Sequence, residues 1–229
     1  MLFIKIQYRS MQLFLKNISL TMDKKKGNFI VFEGIDGSGK STQVQLLAQQ
    51  LKEQGHRVEV TCEPTYSRIG QIIRDVFTRK MNADTRTIAG LFVADRLHHL
   101  LNEEDGIVRQ LNQGITVISD RYYFSSYAYQ GAHVSMDWVI NANAQSAAIL
   151  RPDINIFVDI EPKISMERIQ KGRDQTELYE NEANLQLVRD AYFTAFEKEK
   201  DHENIFITPG HLPPADVAHN IWQKVKQLY

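Results

Sequence analysis

The chain has 229 residues, 43% of them hydrophobic, enough to bury one sizeable core. Lysine and arginine total 27 against 28 aspartates and glutamates, and that balance excludes the broad basic footprint of a nucleic-acid or anionic-membrane binder. The single cysteine, Cys62, excludes a disulfide framework and fits a reducing, cytoplasmic setting with a buried, inert thiol.

The first 22 residues contain no aspartate or glutamate, yet Lys5, Arg9 and Lys16 interrupt the apolar runs, which excludes a spanning helix or a signal-peptide core. They read either as a dispensable extension, with Met22 a plausible start, or as an amphipathic targeting leader. We expect an extension over residues 1–26 and one domain over 27–229. From residue 28 onward, the apolar runs "NFIVFE", "RVEVT", "ITVISD", "INIFVDI" and "NIFIT" alternate with segments of 3.6-residue periodicity. That alternation predicts an α/β fold with a five-stranded parallel sheet covered on both faces. After the first run, "STQVQLLAQQLKEQG" places Val44, Leu47, Ala48 and Leu51 on one helical face and stops at Gly55. Further on, "SMDWVINANAQSAAIL" reads as one buried helix with Trp138 in the core. His98, His99, His133 and His211 lack metal-ligand spacing.

Between the first strand and the first helix lies "GIDGSGKS", Gly34 to Ser41, which matches G-x-x-x-x-G-K-[ST] in the strand-loop-helix context that the pattern requires. Gly34, Gly37 and Gly39 let backbone N–H groups curl around phosphate, and Lys40 reaches the β- and γ-phosphates of ATP. Ser41 would ligate magnesium. Ile35, Asp36, Ser38 and Thr42 complete the nucleotide loop. No N-K-x-D element occurs, which weakens a GTPase reading. Ligands of open α/β sheets gather at the carboxyl ends of strands, and "ITVISD" delivers Asp120 and Arg121 to that edge. By themselves these two read equally well as a structural salt bridge. Phe92 and Arg96, four apart in "LFVADRLHH", share a helical face, which a core phenylalanine and a surface arginine would also do.

Taken together, "FEGIDGSGKSTQ", "LFVADRLHH", "DRYYFSSYAYQG" and "RIQKGRDQTELYENE" resemble the thymidylate kinases, over residues 28 to about 228. The resemblance implies a three-layer P-loop kinase domain, phosphorylation of dTMP to dTDP with ATP and Mg²⁺, and a homodimer. It implies that Phe92 stacks on thymine, that Arg96 bonds its carbonyl, and that Ser126 faces the pyrimidine N3 edge. Tyr129 would crowd the sugar 2′ carbon, and Pro64 would wall the acceptor pocket. Arg121 and Arg74 would hold the acceptor phosphate, with Asp120 organising the metal. Asp36 would accept a hydrogen bond from the 3′-hydroxyl of dTMP; an ion pair with Arg121 is its alternative. Where some members carry an arginine in the loop this chain has Gly37, so catalytic arginines would come from a lid near 168–182, which offers Arg168 and Arg173 besides Lys171. The residues alone also allow another nucleoside or nucleotide kinase, or a non-catalytic nucleotide sensor.

Overall fold

The structure, a computed structural model, describes residues 26–172 and 181–229. Nearly all of the expected N-terminal extension, and Arg173 with most of the expected lid, lie outside the described residues.

Five strands, β1 (Phe29–Glu33), β2 (Val58–Cys62), β3 (Thr116–Asp120), β4 (Ile154–Asp159) and β5 (Ile205–Pro209), fall within a residue or so of the five apolar runs. They form one sheet in the order β2-β3-β1-β4-β5, and every neighbouring pair is parallel. All five residues of β1 are buried, as a central strand covered on both faces must be. Alternate side chains divide the core in two. Ile30 and Phe32 pack with Val44, Leu47, Ala48 and Leu51 of α1 (Lys40–Glu53) and with Val217, Ile221 and Val225 of α10 (Pro214–Val225). Phe29 and Val31 face an aromatic layer built from α5 (Tyr123–Tyr129) and α9 (Glu182–Glu199). A smaller cluster joins α2 (Arg68–Phe77) to α3 (Thr85–Leu101) through Ile73, Val76, Ile88 and Phe92. The α1 helix gives way to Gly55 at φ +86°, the expected stop.

One expectation fails. Residues 136–149 form two short helices, α6 (Met136–Ala142) and α7 (Ala144–Ile149), joined at Asn143; upstream lies the equally short α4 (Ile107–Asn112). Trp138 is not in the core: it is 42% exposed, and of α6 only Val139 is buried. The reason is polar. Asn143, fully buried, accepts from Arg96 on its side-chain oxygen and donates its side-chain nitrogen back to Val139 O of α6, and the chain turns there between the two segments. The last helix before the undescribed segment is α8 (Pro162–Gly172). Among the described residues no helix is long and apolar enough to cross a membrane.

Candidate active site

The loop from Gly34 to Gly39 follows β1 at the carboxyl edge of the sheet and runs into α1. Gly34 and Gly37 have φ of +145° and +73°, and a Cβ at either would stand 2.8 Å from the Val158 carbonyl oxygen or 2.7 Å from that of Ser165. Only glycine fits there. Lys40 folds back over this turn, donating to the carbonyls of Gly34 at 3.0 Å and Ile35 at 2.9 Å. Burial and the nearby Arg121 charge push its ammonium down to about 8, against the opposing pull of Asp120, Asp36 and Glu33. A cation held this way is aimed at the loop's interior, where an anion would restore its full charge.

At the first turn of α1, the exposed Ser41 donates from Oγ to Asp120 Oδ2 at 2.8 Å, while the other oxygen, Asp120 Oδ1, is buried without a hydrogen-bond partner. An orphaned carboxylate oxygen beside a hydroxyl is an oxygen-only donor set, which suits magnesium. Among the described residues no group of three or more His, Cys, Asp or Glu gathers, so such an ion would draw most of its ligands from phosphate and water. These groups line a hollow of about 400 Å³ with Asp36, Gly37, Gly39, Thr42, Cys62, Glu63 and Arg121. Cys62 is only partly buried, where full burial was expected; its surroundings and the Asp120 charge still push the thiol up and keep it protonated.

Arg121 follows Asp120 in a left-handed conformation, φ +77°, rare for a residue with a side chain. That turn swings the guanidinium back over the loop. It donates to Asp36 Oδ1 at 2.5 Å, Gly34 O at 3.2 Å and Ser125 Oγ at 3.1 Å, and lies 4.9 Å over the Tyr129 ring. Tyr129 donates its hydroxyl to Asp36 Oδ2 at 2.8 Å. Both Asp36 oxygens are therefore engaged within the protein, one of them in an ion pair with Arg121. Burial pushes the Asp36 carboxyl up, but the charges of Arg121 and Lys40 and the Tyr129 hydrogen bond outweigh it and hold the group below its ordinary value.

Behind this cluster sits Glu33, fully buried at the end of β1, with Oε2 receiving the hydroxyls of Ser125 at 2.5 Å and Tyr192 at 3.0 Å. Burial pushes Glu33 up to about 7, although the Ser125 hydrogen bond and the Arg121 charge work the other way. Ser125 thus bridges Glu33 to Arg121. The next residue, Ser126, faces Arg96, whose Nη2 donates to its Oγ at 3.2 Å. Arg96 is fully buried and paired with Glu63 at 2.6 Å; Glu63 in turn meets His99 Nδ1 at 3.1 Å. Phe92, one helical turn earlier, is 7% exposed and packs 5.9 Å from the Phe77 ring. Arg74 donates to the carbonyls of Pro64 at 2.6 Å and Thr65 at 2.5 Å, and its guanidinium lies 4.7 Å from the centre of the exposed Tyr66 ring.

From α8, Arg168 reaches across to the loop, Nη2 donating to Gly210 O at 3.0 Å with Nη1 3.4 Å from Ser38 O. A second hollow, lined by Thr42, Gln43, Arg168, Leu212, Pro214 and Val217, adjoins it. Several site groups escaped the sequence reading. Glu33 and Glu63 carried a usable signal, being carboxylates at the ends of strands on the ligand-binding edge. Asn143, Tyr192 and the second hollow carried none, since each enters the site from an element far along the chain. Gln130, next after α5, is 1% exposed with an unpartnered Oε1.

The thymidylate kinase family model matches residues 32–221. A "Thymidylate kinase" of Thermosipho africanus is 38% identical over 204 residues, covering 87% of this chain and 96% of its own. The "Probable thymidylate kinase" of Pyrococcus horikoshii is 40% identical over 158 residues, 66% of this chain and 74% of its own. That of Shouchella clausii, a "Thymidylate kinase", is 39% identical over 151 residues, 64% and 70% of the two chains. A phosphate loop at the carboxyl edge of an all-parallel sheet is common to many nucleotide-binding proteins, but a family match over residues 32–221 is not, and this chain belongs to the thymidylate kinase family.

Proposed function

We propose that the chain transfers the γ-phosphoryl group of ATP to the phosphate of dTMP, giving dTDP and ADP. The observation that carries the reading is the short α5 helix, whose consecutive serines connect two clusters: Ser125 bonds Arg121 beside the phosphate loop, and Ser126 bonds Arg96 in a buried polar cluster with Glu63 and Asn143. Phosphate chemistry and recognition of a second, polar ring thereby meet within one turn of helix.

In this mechanism an oxygen of the acceptor phosphate attacks the γ-phosphorus in line as the bond to ADP breaks. No side-chain nucleophile is needed, so catalysis consists of positioning and charge neutralisation. The loop amides from Gly34 to Thr42 and the positive end of α1 hold the donor phosphates, with Lys40 bridging β and γ. Ser41 and Asp120 would hold magnesium, directly or through water, and the ion supplies positive charge to the same phosphate oxygens. Arg121 and Arg74 hold the acceptor phosphate. Phe92, Arg96 and Ser126 take the pyrimidine, Pro64 walls the pocket, and Tyr129 excludes a 2′-hydroxyl. Arg168 and Arg173 meet the charge that builds on the transferring oxygens. The second hollow, with Leu212, Pro214 and Val217 on one side and Thr42, Gln43 and Arg168 on the other, would take the adenine ring. A homodimer through α2 and α3 belongs to the same reading, supported by Ile72 and Met81, 40% and 43% exposed beside the small α2–α3 cluster.

Incubation with ATP, Mg²⁺ and dTMP, followed by anion-exchange analysis of the nucleotides, tests the reaction. Equal amounts of dTDP and ADP are expected. ATP consumption that does not depend on dTMP contradicts it.

A further inference from the structure

A fully buried guanidinium has to find an acceptor for each of its five N–H groups, and in Arg96 all five can be traced. Nε donates to Glu63 Oε2 at 2.9 Å, and Nη2 meets the same oxygen at 2.6 Å. Nη1 donates to Asn143 Oδ1 on the opposite side. What is left, one N–H on Nη1 and one on Nη2, converges on the single hydroxyl oxygen of Ser126 at 3.3 and 3.2 Å. Two donors sharing one acceptor at the long end of the hydrogen-bond range make this the under-satisfied edge. It is also the edge that a ligand carbonyl would complete.

Glu63 and Asn143 grip the guanidinium from two sides, but they do different things. Glu63 supplies the countercharge, while Asn143 removes the remaining freedom to rotate in plane. The carboxamide of Asn143 is itself fixed, because its Nδ2 donates to Val139 O at 2.9 Å and so leaves Oδ1 facing Arg96. Its backbone is fixed as well. Asn143 ends α6 and begins α7, with its N–H bonded to Val139 O at 3.2 Å and Ile140 O at 3.0 Å. The break between two short helices is thus the device that carries one amide oxygen into the pocket.

We propose that Asn143 is a positioning residue for base selection, aiming the Nη1–Nη2 edge of Arg96 at a pyrimidine ring carbonyl and away from any ring that shows an amino group there. The inference rests on the reading that Arg96 meets the base. A ring carbonyl accepts from two convergent N–H groups, whereas an exocyclic amine offers only more donors, so the discrimination falls between dTMP and dCMP.

Steady-state kinetics of Asn143→Leu, Asn143→Asp and Arg96→Met with dTMP, dCMP and varied ATP test it. Asn143→Leu, which keeps the volume and removes the acceptor, should raise the KM for dTMP about tenfold and narrow the dTMP-to-dCMP ratio of kcat/KM by about as much. Its KM for ATP should not change. Asn143→Asp keeps an acceptor oxygen toward Arg96 and should hold the ratio within about threefold of the wild type. A folded Asn143→Leu enzyme with wild-type discrimination overturns the proposal. If that variant does not fold, Asn143→Ala, which also removes the acceptor, decides: a narrowed dTMP-to-dCMP ratio upholds the proposal and a wild-type ratio overturns it. Arg96→Met separates the two layers. Unchanged discrimination in that variant refutes base reading by Arg96, and with it this inference; lost discrimination there beside wild-type behaviour in Asn143→Leu refutes only the role of Asn143.

Discussion

Asp36 holds two partners at once, Arg121 on one oxygen and Tyr129 on the other, and this bears on what the residue does when dTMP arrives. A 3′-hydroxyl would have to share an oxygen already bonded, while loss of the carboxylate would release the arginine proposed to hold the acceptor phosphate. Asp36→Asn is therefore predicted to lower kcat/KM for dTMP and for its 3′-deoxy analogue by similar factors, within about threefold of each other. A loss confined to dTMP would return the carboxylate to the 3′-hydroxyl. For Lys40, which bonds only loop carbonyls and the Ser38 hydroxyl, truncation removes a cation and little packing. Lys40→Ala should keep its circular dichroism and lose at least a hundredfold in kcat, the scale of one preorganised charge in a transition state. Retained turnover in a folded variant contradicts the role. The residues that the sequence groups together are those inside a contiguous motif, because in a phosphate loop neighbours in the chain are neighbours in space. Glu63 and Asn143, which meet on Arg96 from positions 80 residues apart, lie beyond any such pattern.

Among the elements, the β1–loop–α1 unit was fully readable: its strand is a short apolar run and its helix has one apolar face. The α6–α7 segment was not, since "WVINANAQSAAI" has helical propensity throughout and no proline or glycine to mark the break. What divides it is the tertiary demand of a buried arginine, a cause outside the segment. At α8 the structure gives the helix and its direction, with Arg168 laid across the loop carbonyls. Those contacts are single hydrogen bonds to neutral backbone oxygens, two of them at 3.4 and 3.5 Å, which a developing phosphate charge would outcompete. Arg168→Ala should lower kcat about tenfold or more and leave the KM for ATP within about threefold. A raised KM with unchanged kcat would make Arg168 a ground-state contact.

For the whole molecule, the layers and the parallel sheet followed from the alternation of runs, whereas the buried charges did not, since burial is a property of the assembled fold. Glu33 has the largest consequence. Its carboxyl titrates near 4.5 when unfolded and near 7 when buried among Ser125, Tyr192 and the Tyr122 N–H, with the Arg121 and Lys40 charges nearby. Between those values the folded state carries the extra proton, so this group's contribution to stability is full below about 4.5 and is lost as the pH rises through about 7, a change of about 3 kcal/mol. Glu33→Gln should flatten the fall in unfolding free energy between pH 5 and 7, read from denaturant titrations. An unaltered slope would mean that Glu33 is not the group responsible. The central claim is that one sheet edge joins a phosphate donor site to a pocket selective for a pyrimidine carbonyl, and its most direct test is a coupled ADP-release assay across dTMP, dUMP, dCMP, CMP and AMP. dTMP should give the highest kcat/KM, with dUMP, lacking one methyl, lower by about tenfold, and dCMP, CMP and AMP lower by about a hundredfold or more. Comparable rates with AMP or CMP would contradict the account.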